Sequence, residues 1–207
     1  RGCFKGDTAV IIGNGNVSID CARILGSDSD RLSSTDITEH SLNVLKNYNN
    51  IRQIYVVGRR ACHHGSFTNK ELREVIDKIP NCISTVMNDD IIHSRNEDIV
   101  EMKERVNERK ISILERAVIN ENMDLNSIKS NEKLIHFRFL YSPIQIIGDD
   151  NNDVKSIVLQ RNKLETPTSS KVIPSPNDTI KIDCSLILTS IGYKGLPFDG
   201  VPFDSRN

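Results

Sequence analysis

The sequence predicts an α/β fold, a Rossmann-like three-layer domain. It has a parallel sheet with helices on both faces, an antiparallel three-strand β-meander at about 133–162, and a closing strand. Three observations lead there. Short apolar runs alternate with amphipathic stretches up to Ile119, the periodicity switches to two at Lys133, and a last apolar run stands at Leu186–Leu188.

The run Ala9–Ile12, bounded by Asp7-Thr8 and Gly13, reads as a strand buried on both faces. Val17, Cys21, Ile24 and Leu25 then recur at helical spacing and predict an apolar stripe that lies on the sheet. Residues Gly26–Thr35, rich in Ser and Asp, read as a long polar loop, and "TDITEHSLNVLKNYNN" as a second helix. "IRQIYVVG" is the next strand, and "TNKELREVIDKI" is a helix with Leu72, Val75, Ile76 and Ile79 on one face, ended by Pro80. "ISTVM" reads as a third strand. A helix from Glu97 to about Ile119 buries Ile99, Met102, Val106, Ile113 and Ala117. In "KLIHFRFL" Ile135, Phe137 and Phe139 alternate with His136 and Arg138, the pattern of a strand wetted on one face. Two further strands around the Asp/Asn turn of "PIQIIGDDNNDVKSIVLQRNKLE" complete a meander, and "CSLILTSIGY" is expected to return as an interior strand.

With 27 basic against 28 acidic residues in 207, no global field draws the chain to nucleic acid or to an anionic surface. Peripheral membrane association stays open beside this. Cys3, Cys21, Cys62, Cys82 and Cys184 are odd in number and scattered, which predicts thiols in a reducing compartment.

In "GNGNVS" the spacing is Gly13-x-Gly15-x-x-Ser18. Gly13 permits a tight turn out of the strand, Gly15 a close approach of backbone to a pyrophosphate, and Ser18 close packing of helix on strand. The phosphates would meet the positive end of the helix that starts near Asn16. Arg59 and Arg60 follow the next strand and belong at the same carboxyl edge of the sheet. An NAD-preferring fold places an acid there for the ribose 2′-hydroxyl, whereas paired guanidiniums suit a 2′-phosphate, so NADP(H) is the expected ligand. Cys62-His63-His64 does not make a metal site, because adjacent residues seldom converge on one ion. No Tyr-x-x-x-Lys pair and no G-K-[ST] motif is present, so the chain offers no acid, base or nucleophile of its own.

At "GNGNVSIDCARIL", "TDIT", "VVGRR", "FTNKELRE", "FRFLYSP" and "LTSIGYKGLPFDGVPFD" the chain resembles the NADP-binding domain of adrenodoxin reductase, the adrenodoxin-type ferredoxin-NADP reductase. The motifs stand in the same order over almost all 207 residues. The resemblance implies that residues 1–207 are the NADP(H)-binding domain of a mitochondrial flavoenzyme in which FAD takes electrons from NADPH and passes them to a [2Fe–2S] ferredoxin. It also implies that the FAD domain lies outside this chain, which alone is expected to be inactive. Gly13, Asn14, Gly15, Asn16 and Val17 match the family's pyrophosphate turn, and Arg59 with Arg60 its 2′-phosphate pair. Glu71 matches a glutamate near the nicotinamide end, although Thr68-x-x-Glu71 is equally a helix capping box. Gly192 and Tyr193 match the strand end where the chain returns to the FAD domain, a place where Tyr193 is equally a packing residue.

The chain departs from the family at Ala61-Cys62-His63-His64-Gly65, where a Gly-Pro usually follows the arginines. The resemblance assigns Arg109 and Lys110 to docking of the ferredoxin, although Arg105, Arg109, Lys110 and Arg116 alternate with Glu101, Glu104, Glu108 and Glu115 as on an ordinary solvated helix. Two other readings stay open from the residues. One is the NADPH domain of a glutamate-synthase-type flavoprotein, the other a non-catalytic NADP-sensing module.

Overall fold

The computed structural model describes residues 6–48, 50–95, 104–166, 169–193 and 196–203. Cys3, Ile99, Glu101 and Met102 of the sequence reading lie outside them. A five-stranded parallel sheet forms the centre, in the order β3(Cys82–Val86), β4(Lys133–Phe139), β2(Gln53–Gly58), β1(Thr8–Ile12), β8(Leu186–Thr189). A separate antiparallel sheet is formed by β5(Tyr141–Gly148), β6(Val154–Leu164) and β7(Val172–Asp183).

The central strands are apolar on both faces, and each face has its own cover. Ala9 and Ile11 of β1 and Ile54 and Val56 of β2 pack under α1(Asn16–Gly26), α4(Asn69–Asp77) and α6(Arg105–Val118), through Ile19, Ala22, Leu72, Val75, Leu114 and Ala117. The alternate residues Val10, Ile12 and Val57 meet Tyr141, Ile157, Leu159 and Ile182 of the antiparallel sheet. So the expected helices on both faces are replaced by helices on one face and a second sheet on the other. The chain alternates its side chains with period two and buries both sets.

The meander therefore begins later than expected. Lys133–Phe139 is not its first strand but inserts as β4 between β2 and β3. His136 and Arg138, which suggested a wet face, are covered and paired across elements. The His136 ring stacks on Tyr55 with centroids 4.5 Å apart, and its Nδ1 lies 2.8 Å from Thr85 Oγ1. The third meander strand is β7, whose Pro174 and Pro176 disguise it; proline is tolerated there because β7 is an edge strand with a register shift opposite Gln160/Asn162. Gln160 Nε2 bridges that irregularity by donating to the carbonyls of Ser175 and Asp178.

Other differences are smaller. The polar loop after α1 contains a short helix, α2(Ser29–Ser33), ahead of α3(Glu39–Tyr48). The buried stripe of α1 is Ser18, Ile19, Ala22 and Leu25, while Val17 and Ile24 face outward. Val106 of α6 is 60% exposed rather than buried. The closing strand β8 lies at an edge beside β1, half-covered, not in the interior.

The two sheets are joined by a charged clamp. Asp90 of α5(Asn88–Ile91), 1% exposed, accepts from Arg138 Nε of β4 at 2.7 Å and from Arg161 Nη1 of β6, and also from the Phe139 N–H at 3.2 Å. Both guanidiniums lie 4.8 Å from the centre of the Tyr141 ring. Removing the carboxylate leaves two partly buried cations without their shared partner, so Asp90→Ala is expected to cost about 3 kcal/mol, read as a lower urea midpoint.

Candidate functional site

β1 ends at Ile12, between β2 and β8, and the chain reverses there through Gly13. Gly13 has φ 139°, and a Cβ on it would stand 2.1 Å from the Ser190 carbonyl oxygen, so no other residue fits without shifting the chain just after β8. The turn is stitched to both neighbours: the Gly13 N–H donates to Val57 O at 2.8 Å and the Ser190 N–H to Ile12 O at 2.7 Å. Gly58 at the end of β2 is needed for the opposite reason. The Asn14 side chain lies over it, and a Cβ there would be 1.6 Å from Asn14 Nδ2.

α1 starts on this turn. Ser18 Oγ donates to Gly15 O at 2.5 Å and accepts from the Gly15 N–H at 3.0 Å, so Gly15's donor is used by the cap. The N–H groups of Asn16 and Val17 belong to the first helical turn, which has no intrahelical acceptor to offer them. They therefore lie at the positive end of an 11-residue helix, at the mouth of a cavity.

That cavity, ≈ 1170 Å³, brings together residues from four places. Gly13, Asn14, Gly15, Asn16 and Val17 form its floor, and Arg59 and Arg60 stand beside them. Among the described residues neither guanidinium has an ion-pair partner. Their backbone, by contrast, is fixed. Asn162 Nδ2 donates to Arg59 O at 3.0 Å and the Leu140 N–H to Arg60 O at 3.2 Å. A third wall is Ser142, Pro143, Ile144, Gln145 and Ile146 of β5, where a register shift sets Ile144 out of the ladder. The fourth is Ser190, Ile191, Gly192 and Tyr193 after β8, with Tyr193 98% exposed.

Glu71 does not line this cavity. It is the third residue of α4, and its N–H donates to Thr68 Oγ1 at 3.3 Å as half of a capping box. The other half comes from elsewhere: the Thr68 N–H donates to Asn16 Oδ1 at 2.8 Å, which ties the starts of α1 and α4 together. Lys110, assigned to a docking surface, is 5% exposed and donates to Gly65 O at 2.6 Å and His63 O at 3.3 Å. It is not a surface cation. Arg109 is exposed on the same helix.

The β5 wall, His64 and Ser66 of the cavity are not among the cofactor-binding residues expected from sequence. The alternation in β5 shows a strand, but no local pattern tells which sheet it joins. Cys62, His63 and His64 form a 3-10 turn, and among the described residues no group of three His, Cys, Asp or Glu is placed to hold a metal ion. His63 Nδ1 lies 2.7 Å from Ser94 Oγ; burial, with His64 and Lys110 nearby, pushes His63 down to about 4, and burial raises Cys62 to about 11. Cys21, Cys62, Cys82 and Cys184 are free thiols.

No family model matches the chain. It is 32% identical over 203 residues to "NADPH:adrenodoxin oxidoreductase, mitochondrial" of Arabidopsis thaliana, which covers 97% of this chain and 41% of that protein. It is 34% identical over 205 residues to "NADPH-ferredoxin reductase FprA" of Mycobacterium tuberculosis, covering 99% of this chain and 42% of the relative. The solved structure of M. tuberculosis FprA in complex with NADPH superimposes with a TM-score of 0.80 over 97% of this chain and 42% of that one. The chain thus spans about two-fifths of the length of the relatives it matches, and those relatives are mitochondrial and bacterial.

Two outcomes test this geometry. Gly13→Ala should lose about 2 kcal/mol or more by denaturant titration, since it adds both the 2.1 Å clash and a left-handed backbone penalty. Acid should destabilise the protein through His63 and His136, both pushed to about 4 by burial, with Arg138 adding to the effect at His136. Each is neutral in the folded state while its unfolded form takes up a proton near 6.5, so stability is full above that pH and falls on acidification towards about 4. The slope approaches about 1.4 kcal/mol per pH unit for each histidine. His63→Asn should remove one of the two contributions in urea melts taken across pH 4–7.

Proposed function

We propose, from homology to NADPH:adrenodoxin oxidoreductases and NADPH-ferredoxin reductases, that this chain is the NADPH-binding domain of an oxidoreductase of that kind. The supporting observation is a pair of guanidiniums, Arg59 and Arg60, without counter-ions among the described residues, in one cavity with a glycine turn at a helix start. The donor set fits the ligand. A pyrophosphate matches the first-turn N–H groups of Asn16 and Val17 and the close backbone of Gly13–Gly15. A 2′-phosphate matches the two arginines through charge-assisted bonds.

Strand order supports one direction for the ligand. The cavity edge runs from the β5 wall past the end of β2 to the β1 turn and on to the end of β8, with neighbouring strands about 4.8 Å apart. The adenosine half, carrying the 2′-phosphate, lies at β2 and β5, and the nicotinamide half leads towards Ser190–Tyr193. Glu71, outside the cavity lining, is better read as a helix cap than as a nicotinamide contact.

When bound, NADPH supplies a hydride to an acceptor. The contribution of this chain is positioning, because it places the phosphates, and through them the nicotinamide, at a fixed point on an edge. The FAD that the family resemblance implies belongs beyond Tyr193, and a ferredoxin of the adrenodoxin kind, after which the relatives are named, is the proposed electron acceptor. Of the two docking residues expected from sequence, only Arg109 stays available for that partner. A mitochondrial location is supported by the plant relative.

The test is cofactor selectivity. Arg59→Ala combined with Arg60→Ala should weaken NADP+ binding by about 100-fold or more while leaving NAD+ binding within about threefold. Isothermal titration on the full-length protein decides it, and an unchanged ratio of the two affinities would sink the arginine role.

A further inference from the structure

Lys110 presents a physical problem that the proposed function leaves open. Its ammonium is buried beneath α6, 5.3 Å from the centre of the Phe67 ring, with two backbone carbonyls as acceptors. Among the described residues no carboxylate lies within ion-pair distance of it. Cys62 and His63 beside it do not compensate the charge, since burial keeps the first a thiol and the second neutral. Burying a cation this way is costly unless a counter-charge arrives from elsewhere.

The bonds show where it acts. Lys110 Nζ donates to Gly65 O at 2.6 Å, and the N–H on the other side of that same peptide group, that of Ser66, donates to Asn14 O at 2.8 Å. Ser66 Oγ reaches the same Asn14 oxygen at 3.2 Å. A trans peptide is planar, with its C=O and N–H opposed, so one rigid unit links the ammonium to the glycine turn. A cation on the carbonyl also polarises that unit and strengthens the N–H as a donor. Asn14 O is thereby held towards the Ala61–Ser66 loop, and the helix-start N–H groups of Asn16 and Val17 are left towards the cavity.

We propose that Lys110 is a positioning residue of the phosphate turn, acting through the Gly65–Ser66 peptide, and that the ligand's pyrophosphate provides a counter-charge that the described residues do not. This rests on the reading of the cavity as a site for NADP(H). It assigns a role to the loop at which the chain departs from the family pattern, and it places Lys110 inside the protein rather than on a docking surface.

The two readings separate by cofactor. Loss of Lys110 acts on the pyrophosphate, which NADP+ and NAD+ share, whereas loss of Arg59 and Arg60 acts on the 2′-phosphate alone. In the full-length protein Lys110→Met should raise the Kd of both NADP+ and NAD+ by a similar factor, about tenfold, and Lys110→Arg should restore both to within about threefold of the wild type. Lys110→Gln keeps an N–H donor without the charge and gives an independent measurement should Lys110→Met not fold; a parallel rise in both constants again supports the assignment. Unchanged affinities in a folded Lys110→Met or Lys110→Gln protein, even with a lowered Tm, would reduce Lys110 to a packing residue and overturn it. Weakening of NADP+ alone would also overturn it, by moving Lys110 to the 2′-phosphate. Failure of the wild type to bind either cofactor strikes at the reading of the cavity itself.

Discussion

The corner between the two sheets is the constraint on which the site depends. Leu140, buried and at φ 61°, turns the chain from β4 into β5. Its N–H donates to Arg60 O, its carbonyl accepts from the Asn162 N–H at 2.7 Å, and the Asn162 side chain holds Arg59 O and Ser142 Oγ. A left-handed leucine costs on the order of 1 kcal/mol, which these bonds and its burial offset. In return the backbone of both arginines is fixed where they line the cavity. The clamp of Asp90 with Arg138 and Arg161 stands behind the same corner and fixes Tyr141, the first residue of the cavity's β5 wall.

Covering one face of the parallel sheet with a second sheet rather than with helices also shapes the site. A helix at that face would bury an apolar stripe and close against the strands. Here β5 is the edge strand of its own sheet, so one side of it can form a wall of the cavity. The glycine turn and the arginines come from consecutive β-α units, while the wall and the Ser190–Tyr193 rim come from much later in the chain. Four rigid parts thus meet at one edge, and three backbone hydrogen bonds stitch them together: Gly13 to Val57, Ser190 to Ile12, and Leu140 to Arg60.

The features that could be read from residues alone are those decided within a few positions. A turn at Gly13, a helix start at Asn16, a strand ending in Gly58 and a cap at Thr68 each depend on nearby chemistry, and the structure has them all. The misreadings of polar residues share one cause. His136, Arg138 and Lys110 look solvated because their partners Thr85, Asp90 and Gly65 stand roughly 50 residues away in sequence. The buried polar group is legible only with its partner, because without one it would not be buried at all.

The sequence alone determined the parallel α/β core, the glycine turn after β1 and the position of two arginines after β2, since periodicity, glycine geometry and charge are local properties. Tertiary structure alone decided that β4 belongs inside the parallel sheet, that a second sheet replaces a layer of helices, and that Lys110 faces a loop instead of solvent. Those outcomes depend on which distant surfaces exclude water together, and burial is a property of the assembled layers rather than of any stretch of residues.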